Sequence, residues 1–216
     1  MMKNLIILGD GSFARELLEW VTEAGFSSDT SLKGYLCTSG VADSTVPLEL
    51  PCLGEAGNYF PQKNDVFLCA LLDPCEKLAA CEMIKKKGGI FQSFLHPTVR
   101  QTSRRNRIGE GCILSPRTEL TSDVLFHDFV TVCSFTGFGH DVKIGSGSTI
   151  STHCDITGYA EIGNGVFLHS HVVVLPCRKV GDFACVGAGS VVARDVPPGT
   201  CVWGVPAKKV DPELLK

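Results

Sequence analysis

A large apolar residue stands at every sixth position along the second half of this chain. It does so at Ile108, Leu114, Leu120, Phe126, Val132, Phe138, Ile144, Ile150, Ile156, Ile162, Leu168, Val174, Val180, Val186 and Val192. With apolar residues near 45% of an ordinary chain, such a run arises by chance about once in a hundred thousand tries. A helix surface repeats near 3.6 residues and a strand near 2, so a period of six means short strands joined by tight corners, each strand sending the same position inward. A second inward track follows each large residue by four: Cys112, Thr118, Val124, Val130, Thr136, Val142, Ser148, Cys154, Ala160, Val166, Val172, Ala184, Ser190 and Val196, with Arg178 breaking the rule. Gly109, Gly139, Gly145, Gly163, Gly181 and Gly187 directly follow a large residue, where the reading expects a turn that a Cβ would oppose. The chain coils into a solenoid in which each unit buries its apolar face against its neighbours.

The first part of the chain has another order. Asn4–Leu8 reads as a buried strand, Gly9–Ala14 as a glycine loop and Phe13–Glu23 as a helix with Leu17, Leu18 and Val21 on one face. Lys33–Cys37 and Asp65–Leu71 read as further strands, Cys75–Lys87 as a helix and Gly89–Leu95 as a last strand before His96-Pro97 turns the chain. The alternation predicts a small parallel α/β sheet, giving a Rossmann-like domain over 1–96 and a coil domain over 97–216. Gly9-x-Gly11-x-x-Ala14 fits a dinucleotide fingerprint. The acid expected about twenty residues on, at the end of the second strand, is missing, because that strand ends Leu36-Cys37-Thr38. The loop is therefore expected to present helix N-terminal amides to an acceptor's phosphates, not to a nicotinamide cofactor. A tight turn that only packs is the structural alternative.

Composition narrows the classes. At net charge −3 and pI about 6.1 the chain has no basic footprint for nucleic acid. No apolar run reaches membrane-spanning length, and the N-terminal apolar run leads into a glycine loop without a signal-peptide cleavage site. The expectation is a cytoplasmic protein that binds neither nucleic acid nor membrane. The eleven cysteines contain no CxxC pair and read as reduced apolar fillers.

Read together, Ile6-Ile7-Leu8-Gly9-Asp10-Gly11-Ser12, the linker Leu95-His96-Pro97, the corner Gly139-His140-Asp141-Val142-Lys143-Ile144-Gly145 and the tail Gly204-Val205-Pro206-Ala207-Lys208 carry a resemblance. The chain resembles the hexapeptide-repeat sugar O- and N-acyltransferases related to the sialic acid O-acetyltransferases and to the acetyltransferases of UDP- or dTDP-4-amino-sugars. The resemblance implies a left-handed parallel β-helix, although general topology favours right-handed crossovers. It also implies a homotrimer and an acyl-CoA donor, acetyl-CoA above all, with transfer to an amino or hydroxyl group of a sugar or nucleotide-linked sugar.

His140 matches the family's catalytic base. An imidazole of ordinary pKa near ~6.5 can take a nucleophile's proton at neutral pH and return it to a departing thiolate. Asp141 matches the acidic partner that fixes the ring's tautomer, although neighbouring strand residues point to opposite faces. It reaches the ring only if the corner turns it back. The resemblance places Thr149, Ser170 and Ala188 along a groove for coenzyme A, with Lys208 and Lys209 for its nucleotide phosphates; Thr149 stands where relatives carry a second histidine. Gly11, Ser12, Phe13, Cys37 and Thr38 are the acceptor-binding candidates. The uridine-reading acids after the second strand, and a Gly-Asn pair after the third, are replaced here by Cys37-Thr38 and Leu71-Leu72-Asp73.

Two other classes stay open at this level. His153 and His171, eighteen residues apart, should stack one coil above the other, with His169 close by. In γ-type carbonic anhydrases three histidines hold zinc between subunits; the reading favours stacked histidines at a subunit contact and no metal. A nucleotide-sugar-binding scaffold without activity is the other alternative. His127 reads as an exposed corner residue and His96 as structural.

Overall fold

The computed structural model describes residues 2–25, 29–38 and 48–215. The chain divides into two compact units, Met1–Phe94 and Leu95–Lys216.

In the first unit the strands are β1 (Lys3–Leu8), β2 (Thr30–Cys37), β3 (Cys52–Glu55), β4 (Asp65–Cys69) and β5 (Ile90–Phe91), and the helices are α1 (Ser12–Glu23) and α2 (Pro74–Lys86). The sheet has the order β3-β2-β1-β4-β5 and every pairing is parallel. β1 and β4 are almost wholly buried and correspondingly apolar, as strands covered on both faces must be. Helix α1 turns Phe13, Ala14, Leu17 and Val21 inward; Leu18 is only half-buried. Helix α2 starts where Asp73 accepts from the amides of Cys75 and Glu76, each at 2.9 Å, with Pro74 in the first turn, a strong N-cap arrangement.

Two expectations need correction. The last strand is two: Ile90–Phe91 joins the α/β sheet, whereas Phe94–Leu95 heads a sheet of the coil. Strand β3 has no counterpart in the sequence reading, because a four-residue edge strand exposed along most of its length shows no apolar alternation.

The second unit is a parallel β-solenoid. Two-residue strands stack into three sheets of six, five and eight members, the last closed by an antiparallel strand, Lys208–Lys209 on Cys201–Trp203. The register advances by one coil of eighteen residues, as in Thr131↔Thr149, Thr149↔Phe167 and Phe167↔Cys185. Every large repeat residue from Leu114 to Val192 is buried, and every member of the second track except Arg178 is buried with it. Ile108, at the end of the stack, is partly buried against the same core. Each fully buried large residue of the repeat contributes about 1.5–3 kcal/mol by leaving water.

The corners correct the account of the glycines. The left-handed backbone sits three residues after the large residue, at each sixth position from Gly111 to Gly189, with φ between +56° and +71°. Non-glycine residues hold most of these places, Asp141, His153 and Tyr159 among them. Their amides donate to carbonyls of the preceding coil, as Asp141 N does to Ser122 O at 2.9 Å and Tyr159 N to His140 O at 2.9 Å. That bond recurs at each corner from Phe129 to Gly189 and offsets the ~1–2 kcal/mol of left-handed strain. The glycines directly after the large residue have ordinary φ and serve another need. At Gly139 a Cβ would lie 2.6 Å from the amide nitrogen of Gly158, and at Gly109 it would lie 2.6 Å from the His127 backbone carbon. They let one coil's backbone close on the next.

Candidate active site

Phe138 anchors its strand in the coil's core, Gly139 closes on the next coil, and His140 follows at the rim. The backbone then turns at Asp141, whose φ of +60° swings its carboxylate back along the chain. Asp141 Oδ2 lies 3.0 Å from His140 Nδ1. An extended backbone would have sent the two side chains apart. A ring that donates its Nδ1–H to Asp141 presents Nε2 with its lone pair exposed, the tautomer a general base requires.

Two neighbours on the next coil fix the ring. A Cβ at Gly158 would come within 2.8 Å of His140 Nε2 and 2.9 Å of Cε1, so only glycine leaves the imidazole its place. Tyr159 meets the ring edge-on, with centroids 4.8 Å apart. The imidazole is 56% exposed, open to a reactant. Beside it, Arg104, Arg105, Arg107 and Lys143 line a groove of about 780 Å³ together with Asp141 and Tyr159. Arg105 is paired with Asp123 at 2.6 Å and Lys143 with Glu161 at 3.4 Å.

The residues expected along the donor groove separate. Ser170 is half-buried and Ala188 exposed at the same corner of successive coils; the Ser170 carbonyl accepts from Gly189 N and that of Ala188 from the Trp203 indole, each at 2.9 Å. Lys208 and Lys209 are exposed on the closing strand. Thr149 is a correction. Its side chain is fully buried, in a sheet between Thr131 and Phe167, and so does not line an open groove in the single chain.

His153 and His171 stack face to face with centroids 4.9 Å apart and planes 1° from parallel, and Phe135 extends the stack at 4.9 Å. His169 lies instead on Phe167, centroids 4.4 Å apart, and burial holds its imidazole below the ordinary range. Among the described residues no group of three or more His, Cys, Asp or Glu side chains could hold a metal ion, and no helix is long and apolar enough to cross a membrane.

The first unit carries a cavity of about 730 Å³ at the C-terminal ends of its strands, lined by Gly11, Ser12, Phe13 and Thr38. Cys37 is not in the lining. Its thiol stands 3.6 Å from that of Cys52 on β3, and burial, the Cys52 thiol and the Asp10 charge push it up to about 12. For Cys52 the Gly54 amide is the largest influence and lowers the thiol; with Cys37 and Tyr35 it outweighs burial, leaving Cys52 below the ordinary range. Iodoacetamide at neutral pH should therefore label exposed Cys52 well ahead of Cys37, read by peptide mass mapping. Equal labelling would contradict this ordering.

The sequence reading missed Asp10 in this cavity, along with Glu76 and Met83 from α2. Asp10 occupies a variable place in the glycine fingerprint, which carries no signal for it.

Residues 159–194 match the family described as bacterial transferase hexapeptide, six repeats. Among curated proteins, the chain is 45% identical to galactoside O-acetyltransferase of Escherichia coli (strain K12) over 49 residues, 23% of this chain and 24% of that protein. It is 31% identical to serine acetyltransferase 2 of Arabidopsis thaliana over 136 residues, 62% and 37% of the two. The chain thus spans between 24% and 37% of the length of these relatives. Among solved structures, it is similar to PerB from Caulobacter crescentus in complex with CoA and GDP-perosamine, with TM-score 0.86 and 23% identity over 98% of this chain and 99% of the other. The acetyltransferase domain of PglB from Neisseria gonorrhoeae FA1090, in complex with acetyl coenzyme A, gives TM-score 0.85 and 20% identity over 97% and 100%. The repeat in the coil, the fold of nearly the whole chain and the curated relatives agree: this chain resembles the hexapeptide-repeat sugar O- and N-acyltransferases.

Proposed function

We propose that the protein transfers an acyl group, in the first place acetyl from acetyl-CoA, to an amino or hydroxyl group of a sugar or nucleotide-linked sugar. The observation that carries this reading is the His140–Asp141 corner: an exposed imidazole whose Nδ1 is held 3.0 Å from a carboxylate leaves Nε2 to act as base. In the proposed reaction Nε2 removes the proton of the acceptor's amine or hydroxyl as it attacks the thioester carbonyl. The tetrahedral intermediate collapses, the C–S bond breaks, and the proton passes to the departing thiolate. Holding both reactants at one corner supplies much of the rate.

Ser170, Ala188 and Lys208 are assigned to the donor, Lys208 as a point charge for its phosphates. Gly11, Ser12, Phe13 and Thr38, with Cys37 behind them, are assigned to the acceptor in a Rossmann-like first unit. The coil is read as left-handed and the active assembly as a cytoplasmic homotrimer with its site between subunits. Support comes from the acetyltransferase relatives, from the CoA and GDP-perosamine held by PerB, and from solenoid physics, in which a thin prism gains by lateral association.

The test is thiol release from acetyl-CoA in the presence of GDP-, UDP- and dTDP-linked 4-amino-sugars and free sialic acid. Turnover is expected with an amino-sugar nucleotide. No release across the panel would count against the transferase reading.

A further inference from the structure

We propose that Asp10 selects the acceptor by receiving a hydrogen bond from its nucleoside end, an N–H of the base or a hydroxyl of the ribose, and that the acceptor's phosphates lie away from the glycine loop. This rests on the reading that the cavity of the first unit holds the acceptor.

Asp10 is only 4% exposed, in the short loop between β1 and α1, and it lines that cavity. Its Oδ2 is buried and has no hydrogen-bond partner among the described residues. A buried carboxylate oxygen left without a donor is costly, and a ligand that supplies one recovers that cost. The chain keeps an acid here, beside the amides that the sequence reading gave to phosphate.

The electrostatics point the same way. Helix α1 begins without a side-chain cap and with no acid in its first turn, and the Asp10 carboxylate stands two residues before it in the chain. Among the described residues the cavity lining holds two carboxylates, Asp10 and Glu76, and no lysine, arginine or histidine. A diphosphate placed there would meet two like charges and no counter-charge. Apart from Ser12 and Thr38 the other side chains of the lining are apolar, with Phe13, Leu71, Leu72 and Met83 among them. Apolar walls, one buried acceptor atom and a volume of about 730 Å³ suit a flat ring that carries a donor on its edge.

The experiment is calorimetric titration of the full chain, wild type and Asp10→Asn, with GDP, UDP, ADP, their 2′,3′-dideoxy forms and inorganic pyrophosphate. A nucleotide should bind the wild type, and Asp10→Asn should weaken it by about 10- to 100-fold, the usual scale for a hydrogen bond to a charged group, with CoA binding unchanged. Preference for one base that survives removal of the ribose hydroxyls assigns the donor to the base; loss in the dideoxy forms assigns it to the ribose. Competition on the wild type decides independently of how the variant folds: nucleosides should displace the bound nucleotide and pyrophosphate should not. Equal affinity in both proteins, displacement by pyrophosphate alone, or no binding by any nucleoside overturns the proposal. The transferase reading fails separately, by absence of acetyl transfer, while the titrations still decide the role of Asp10.

Discussion

His140→Asn should slow acetyl transfer by about 10²- to 10⁴-fold, the range for removing one general base, while CoA affinity and the thermal transition stay close to wild type. The side chain lies at the rim, 56% exposed and outside both inward tracks, so its loss opens no cavity in the core. Among the described residues its one polar side-chain partner is Asp141. Steady-state kinetics with a saturating acceptor would read the effect in kcat. A variant that keeps near-normal kcat would end the catalytic assignment, and one that aggregates would make His140 a structural residue.

Two further variants separate positioning from chemistry at this corner. Asp141→Asn keeps a carbonyl that can accept the Nδ1–H, and asparagine tolerates the φ of +60° found there, so its loss should be the smaller. Asp141→Ala removes the acceptor and adds left-handed strain, and should cost more. Gly158→Ala acts without touching any charge: its Cβ would stand 2.8 Å from Nε2 and push the imidazole aside. It should lower kcat while the coil still melts near the wild-type temperature.

The inward tracks were legible because burial is a strict filter on side chains, and a coil repeats that filter at fixed spacing. Leu114 through Val192 are buried as the period required. The corners were not legible, because the left-handed positions hold Arg117, Asp123, Phe129, His153 and Cys177 as readily as glycine. No composition rule marks them. The pairing of Asp141 with His140 was open in the sequence for the same reason, since it depends on that backbone turn. Thr149 shows a second limit: a small polar residue outside the inward tracks looks exposed, yet it is fully buried. Asp10 shows a third, because a fingerprint directs attention to its glycines and away from the residue between them.

The repeat glycines are of two kinds, and one residue of each kind in the coil separates them. Gly145 follows the large residue Ile144 and has ordinary φ, but a Cβ there would fall on the Gly163 carbonyl and lie 2.6 Å from the Asn164 amide nitrogen. Those atoms are backbone of the next coil, which cannot rotate aside as a side chain can. Gly189 has φ of +69°, and nothing lies within 4 Å of the Cβ it would gain. Conformational preference alone ranks Gly189 as the less replaceable of the two, since only its φ disfavours a side chain. The packing ranks them the other way. Gly145→Ala should destabilise by about 3 kcal/mol, the upper part of the usual range for overpacking, or roughly 6–12 °C in the melting temperature of a chain this size. Gly189→Asn should cost less than about 1 kcal/mol, because asparagine visits the left-handed region readily and its neighbour one coil back, His171, holds φ of +60°. Thermal denaturation of both variants beside the wild type decides the matter. If Gly189→Asn proves the more damaging, the glycines serve the turns as conformational hinges, and the close approach of coil on coil is not what selects them.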